Sequence, residues 1–286
     1  MSKLDQFESA FKSAAKEQYR HSAVILAKIL VVTDLDESGS MRFCDDVKAF
    51  LDAVQIKDGA KWVAHHTTPD GDVGDLLGVV EREQPDLICS YRNLHGRARH
   101  YPFSLGAHID VLTQATSTPV LLLPPPTDEG RLDPSCRRTQ GVLILTDHLQ
   151  GSDSMIDYGA HFATATGRLV LAHLEDDGTF ERYMGVIGKI ASIDTEDARA
   201  AIVKQLLKEP ADYMESVRAV LRKTIPELSI ATEVAMGHRV QDCVRLIEAK
   251  DIELVVVNTK DEDQLAMHGL AYPLAIELRA VPLLML

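Results

Sequence analysis

Residues 90–107 read SYRNLHGRARHYPFSLGA, with three arginines, two histidines and no acid, in a chain whose formal net charge is -13. Residue types of this kind can hold phosphate. Gly96 and Gly106 allow backbone N–H groups to approach anionic oxygens closely, and a helix opening after Gly106 adds its favourable N-terminal dipole. Arg92, Arg97 and Arg99 could supply guanidinium forks, with His95 and His100 beside them. The same composition also suits a solvated loop whose charges answer the many carboxylates elsewhere, and on composition alone both readings stand.

Two acids occupy a second position of chemical interest. Asp34 and Asp147 close the apolar runs KILVVTD and GVLILTD. At the carboxyl edge of a parallel sheet such acids meet ligands, or they accept backbone N–H groups as caps. The stretch HHTTPDGD offers His65, His66, Asp70 and Asp72 to a metal, but adjacent histidines on a strand point to opposite faces and do not share one ion. No metal site is expected. The remaining histidines are scattered without a Ser-His-Asp or Cys-His order, so nucleophilic catalysis has no support and the chain is expected not to be an enzyme, a slow ATPase being the least favoured reading.

The elements that must position these residues come twice. Each of KILVVTD and GVLILTD is a continuous buried-type strand. PDLICSY and IELVVVN supply another pair, preceded by the amphipathic segments GDVGDLLGVVEREQ and RVQDCVRLIEAKD. SLGAHIDVLTQATSTPVLLLP and HGLAYPLAIELRAVPLLML complete the repeat, with Gly106 and Pro119 separated by the same 13 positions as Gly269 and Pro282. Strands alternating with helices predict a parallel α/β sheet with right-handed crossovers.

The proline-rich PPPTDEGRLDPSCRRTQ reads as an exposed linker, dividing the chain into units 1–129 and 130–286. The second unit is longer: RLVLAHL reads as an additional strand, followed by a helical region over about 179–224. That region either packs on its own sheet or serves as a partner-binding flap. The first unit therefore lacks one strand-helix unit. Residues 3–19, apolar at Leu4, Phe7, Phe11 and Ala14, predict an amphipathic helix able to cover the face left bare.

Composition narrows the partners. With 286 residues, 45% hydrophobic and 26% charged, the chain has ample material for buried cores. Its acidity disfavours nucleic acid and anionic membrane surfaces as partners, leaving small molecules and proteins. The longest apolar run, AVILAKILVV, is too short to span a bilayer and is interrupted by Lys28. The four dispersed cysteines read as reduced structural thiols. A cytoplasmic protein is expected.

Over about residues 27 to 286 the chain resembles the universal stress protein family. The resemblance is clearest in the two TD strand ends, DLICSY with SLGAHIDVLTQATSTPVLLLP, and IELVVVN with PLLML. It implies two tandem Rossmann-like parallel-sheet domains of the adenine nucleotide alpha hydrolase-like kind, paired through their last strands as an internal pseudo-dimer, with a further homodimer in keeping with it. It also implies a stress-response binding protein taking ATP or AMP, in which the first-strand Asp meets adenine and a Gly-x2-Gly-x9-Gly-Ser/Thr loop holds ribose and phosphates. The first copy retains that spacing as Asn93-x2-Gly96-x9-Gly106-Ala107, with Arg97 in the loop. Asn tolerates the left-handed backbone region, whereas Ala107 lacks the hydroxyl, so a weakened site around Asp34 is expected. In the second copy Asp147, Asn258 and Gly269 are what remain, Asn258 and Asp261 standing at the earlier glycines, and the run Asp261, Glu262, Asp263 lies where phosphates would go. Like charges repel there, and no nucleotide is expected in that copy. The alternative of the same fold is a ligand-free scaffold for an unidentified protein partner.

Overall fold

The apolar runs become the inner strands of one sheet. The computed structural model describes residues 19–52, 54, 56, 58–68, 72–96, 103–136, 139–146, 153–190, 194–259 and 271–286. Its first half runs β1 (Lys28–Thr33), α1 (Glu37–Leu51), β2 (Lys61–His66), α2 (Val73–Glu83), β3 (Leu87–Tyr91), α3 (Ala107–Ala115) and β4 (Val120–Leu123). Its second half runs β5 (Gly141–Thr146), α4 (Asp153–Phe162), β6 (Arg168–Asp176), α5 (Asp177–Ile187), α6 (Thr195–Thr224), β7 (Ser229–Gly237), α7 (Arg239–Ala249), β8 (Leu254–Val257), α8 (Ala271–Glu277) and β9 (Leu283–Met285). Among the described residues these form a nine-stranded sheet in the order β2-β1-β3-β4-β9-β8-β5-β6-β7.

Every neighbouring pair is parallel except the central one. There β4 and β9 run antiparallel, with Val120 opposite Met285 and Leu122 opposite Leu283. The two halves are thus joined through their last strands, and the hydrophobic core is continuous across the join. The inner strands β3, β4, β8 and β9 are wholly buried, which is why their sequences are unbroken apolar runs. The edge strands β2 and β7 are only partly buried, and their polar positions hide them from a hydrophobicity scan.

The unit that the first half lacks is not the one expected from the sequence. β6, the RLVLAHL strand, lies beside β5 as β2 lies beside β1. The strand without a counterpart is β7, which SIATEVAMG does not announce because it is a half-solvated edge.

Helix placement follows from the crossovers. The chain steps outward from β1 to β2 and from β5 to β6 to β7, then returns toward the join; right-handed connections put α1, α4, α5 and α6 on one face, and α2, α3, α7 and α8 on the other. α6 is 30 residues long, about 45 Å. All its buried residues, Pro210, Tyr213, Met214, Val217 and Leu221, lie in its second half, against β6 and β7. Its first half carries no buried residue and meets α5, where Arg199 pairs with Glu181.

The join is fastened twice on the α1/α4 face. The proline-rich segment is largely exposed, with Thr127, Asp128, Glu129 and Asp133 at the surface, but it is anchored where Leu132, Cys136 and Thr139 are buried. Arg131 Nη1 donates to Asp46 Oδ1 at 2.8 Å and the Leu132 N–H to Asp46 Oδ2 at 3.0 Å, tying this segment to α1. Gly130, at φ +74°, would place a Cβ 2.7 Å from the Gly39 Cα, so only glycine fits that crossing. Reciprocally, the segment leading into β1 is tied to α4. The Tyr19 hydroxyl and Ser22 N–H donate to Asp157 Oδ1 at 2.6 and 3.1 Å, and His21 Nδ1 lies 3.0 Å from the same oxygen. Burial and the neighbouring Asp157 push the Tyr19 phenol well above its ordinary pKa. The expected helix at residues 3–19 lies outside the described residues apart from Tyr19.

The four cysteines carry free thiols, three of them buried. No helix among the described residues is long and apolar enough to cross a membrane, and among the same residues no His, Cys, Asp and Glu gather as a metal site.

Candidate functional site

The outward and returning crossovers diverge between β1 and β3, so their carboxyl ends open a crevice of the kind where α/β sheets take ligands. Asp34 follows β1 and Asn93 closely follows β3. The crevice therefore collects residues far apart in sequence.

Asp34 is bound on both carboxylate oxygens. The Tyr91 hydroxyl donates to Oδ1 in a short hydrogen bond, and the His95 N–H donates to Oδ2 at 2.5 Å. The Asp34 N–H in turn donates to the Tyr91 oxygen at 3.1 Å. Burial and the adjacent carboxylate raise the Tyr91 pKa, keeping it a proton donor. Phe43 fixes the Tyr91 ring edge-on, with centroids 5.0 Å apart.

His95 links Asp34 to β2. Its Nε2 lies 2.7 Å from Thr67 Oγ1, and its Nδ1 3.8 Å from Asp34 Oδ2. Because the Thr67 hydroxyl donates to the Thr33 carbonyl at 3.2 Å, it accepts from His95, which assigns the ring proton to Nε2. Asp34, His95 and Thr67 thus line up in the order of a nucleophilic triad. They do not act as one, since the Thr67 proton is committed to a carbonyl and the residue is 6% exposed.

The loop between β3 and α3 folds on Asn93 and Gly106. Asn93 and His95 adopt left-handed backbone, at φ 60° and 56°, so Asn does take the turn in place of glycine. Gly96 N–H closes the turn on the Asn93 carbonyl at 2.8 Å. The Asn93 N–H donates to Leu105 O at 2.6 Å, and its side-chain amide to Ser104 O at 3.1 Å. Gly106, at φ +88° and ψ 148°, has backbone angles that are essentially reserved for glycine, and a Cβ there would lie 2.9 Å from the Asn93 Cα. The Gly106 N–H donates to Ser104 Oγ at 3.0 Å.

Gly106 gives α3 no side-chain cap. The first-turn N–H groups of a helix have no intrahelical acceptor, and here they begin at the exposed Ala107, at the helix's positive dipole end. His108 stands in this turn, its ring 5.6 Å from that of His95. Burial, and then the neighbouring His95, lower the His108 pKa.

The structure brings Asp34, Asn93, Gly96, Gly106 and Ala107 to one crevice. Arg97, with Arg99 and His100, lies outside the described residues. Arg92 departs from its expected role as a phosphate donor: it is 5% exposed and points across the join, donating to Ala275 O at 2.6 Å and Leu278 O at 2.9 Å at the end of α8. Burial, then Arg279, lower its pKa to about 10. Tyr91 and Thr67 are members of the crevice that the sequence did not reveal, although Tyr91 is the one phenol in the run LICSY.

In the second half Asp147 and Gly269 lie outside the described residues. The strand registers correct the position given to Asn258. Ile29 and Leu30 pair with Leu87 and Ile88 as Val142 and Leu143 pair with Leu254 and Val255. Asn258 therefore corresponds to Tyr91 rather than Asn93, and it is exposed. Thr259 corresponds to Arg92; its hydroxyl and N–H both donate to Leu286 O, at 2.6 and 2.8 Å.

No family model and no curated protein matches the sequence. Among solved structures, a universal stress protein from Archaeoglobus fulgidus superposes with a TM-score of 0.54, over 91% of this chain and 97% of its own, at 14% identity. The fold is that of a universal stress protein. A functionally unknown protein from Pseudomonas aeruginosa aligns over 91% of this chain and 92% of its own, with a TM-score of 0.49 and 14% identity. A universal stress protein family member from Burkholderia pseudomallei covers 52% of this chain with 96% of its own, with a TM-score of 0.38 and 17% identity.

Proposed function

We propose that the protein is a stress-response binding protein whose first half takes an adenine nucleotide, ATP or AMP, at the β1/β3 crevice, while its second half takes none. The observation that carries this reading is the convergence of Asp34, the Asn93–Gly96 turn and the Gly106-led, uncapped start of α3. Phosphate oxygens accept from the first-turn N–H groups of α3, while Asp34 and Asn93 offer polar groups to base and ribose. Ala107 contributes only its backbone, so affinity is modest. The reading is of a nucleotide bound and not turned over, since the Thr67 hydroxyl beside His95 is committed to the Thr33 carbonyl.

Isothermal titration with ATP and with AMP tests this reading. Heat of binding that disappears in Gly96→Val and Gly106→Val supports it; no heat and no thermal shift at millimolar ligand removes it.

A specific observation favours a second reading, a ligand-free scaffold for a protein partner. Both oxygens of Asp34 are already engaged within the chain, and Arg92 serves the join. A partner whose capture ignores ATP, together with silent titrations, selects the scaffold.

A further inference from the structure

A phosphate at the start of α3 needs a positive counter-charge, and the described part of the crevice supplies no permanent one. Arg92 is turned into the join. Among the described residues, the charges felt at the His108 ring are those of His95 and Asp34, with no lysine or arginine between them. Asp34 opposes an anionic oxygen brought near it, and Tyr91 stays a neutral donor to that carboxylate. The groups left to become positive are two histidines, His95 on the turn and His108 in the first turn of α3, with ring centroids 5.6 Å apart.

The two histidines are not equivalent. His95 is committed within the chain: its N–H donates to Asp34, and its ring stands between Thr67 Oγ1 at 2.7 Å and Asp34 Oδ2 at 3.8 Å. A proton gained there pairs with Asp34. His108 is half-buried and makes no side-chain hydrogen bond among the described residues. It follows Ala107, the residue that brings no hydroxyl to the site.

Burial, and then His95, lower the His108 pKa, with Asp34 acting the other way, so the empty crevice holds a neutral imidazole at neutral pH. Asp110, the acid of the same turn, is itself pushed up by burial and bears on Tyr272 of α8. A dianionic phosphate beside the ring reverses the balance. Its charge favours the imidazolium, which then donates a charge-assisted hydrogen bond to a phosphate oxygen.

Building on the nucleotide reading of this crevice, we infer that His108 takes up a proton as the nucleotide binds and holds the phosphate as an imidazolium, in place of the hydroxyl that Ala107 lacks. The proton comes from solvent and goes to a ring nitrogen, and no bond of the nucleotide changes. With a higher pKa in the complex than in the empty site, His108 adds affinity that is complete below its empty-site pKa and lost as pH rises through its bound one. Nucleotide binding thus strengthens with mild acid, until the phosphate itself is protonated near pH ~6.

Isothermal titration of the full chain with AMP, at pH ~7.5 in two buffers of different ionisation enthalpy, counts the protons taken up per nucleotide. The wild type is expected to take up about one proton and to lose affinity by roughly five- to tenfold per pH unit on the alkaline side of neutrality. His108→Gln keeps a polar side chain of similar size that does not titrate. It is expected to bind AMP about tenfold more weakly at neutral pH, with uptake near zero and a flat pH profile. His108→Lys, charged throughout this range, is expected to match or exceed wild-type affinity in mild alkali, also without uptake. AMP binding without proton uptake in the wild type overturns the inference and leaves the nucleotide reading standing. Uptake that survives in His108→Gln also overturns it, by assigning the proton to another group such as His95. No heat from AMP at any pH removes the nucleotide reading and this role of His108 together.

Discussion

Among the described residues the two halves are fastened alike at their amino ends and differently at their carboxyl ends. Asp86, ahead of β3, accepts the N–H groups of Ala27 and Lys28 at 2.8 Å each. Glu253, ahead of β8, accepts those of Gln140 and Gly141 at 2.6 and 3.3 Å. One acid thus anchors the first strand in each half. Beyond the strands, Tyr91 and Arg92 of the first half tie the loop to Asp34 and to α8 of the other half, whereas Asn258 is exposed and Thr259, among the described residues, bonds to Leu286. Repetition has preserved the scaffold, and the chemistry differs where the strands end. A ligand in the first crevice would press on a loop wired directly into the second half.

The largest effect expected from breaking that asymmetry is at Arg92. Arg92→Ala removes two charge-assisted hydrogen bonds and leaves the last carbonyls of α8 without donors, at a cost of about 3 kcal/mol, whereas Thr259→Ala loses a hydroxyl bond worth about 1 kcal/mol. Urea denaturation of both variants measures the difference, and equal losses would erase the contrast between the halves. Gly106→Ala comes next. A Cβ forced against the Asn93 backbone, at angles suited to glycine, costs about 2 kcal/mol and distorts the start of α3.

The smallest expected effect is in pH. Burial lowers the pKa of His65 and His108 in the first half and of His161 in the second. Each is therefore more easily protonated in the unfolded chain than in the native one, so its contribution is intact above the ordinary histidine pKa of about 6.5 and declines as pH falls below it. Thermal melts between neutral and mildly acidic pH should show a midpoint that drops with acid. His108→Gln should flatten part of that drop without removing the share of His161.

Much of the fold was legible because inner strands of a parallel sheet are apolar from end to end. KILVVT, LICSY, LLL and LVVV could be little else, and the glycine and proline spacings set their order. The edges are hidden: SIATEVAMG is half solvated, so that RLVLAHL, the more apolar strand, reads as the unpaired one. The crevice was legible in its backbone, since Asn93, Gly96 and Gly106 have the spacing of a phosphate loop. Its wiring was not. Nothing in local sequence says that Arg92 turns 183 residues away to Ala275 while its neighbours form the loop, or that residues rich in proline at 124–140 are held by Asp46. Long-range partners of polar side chains depend on how the two halves meet, which periodicity does not encode.

The measurement that reaches the central claim most directly is titration of the full chain with ATP and AMP, wild type against Gly106→Val. One binding event per chain in the wild type, absent from the variant, is the predicted result. Two events per chain would restore the second half as a site and contradict the asymmetry between the crevices. Silence with both nucleotides would contradict the nucleotide claim itself.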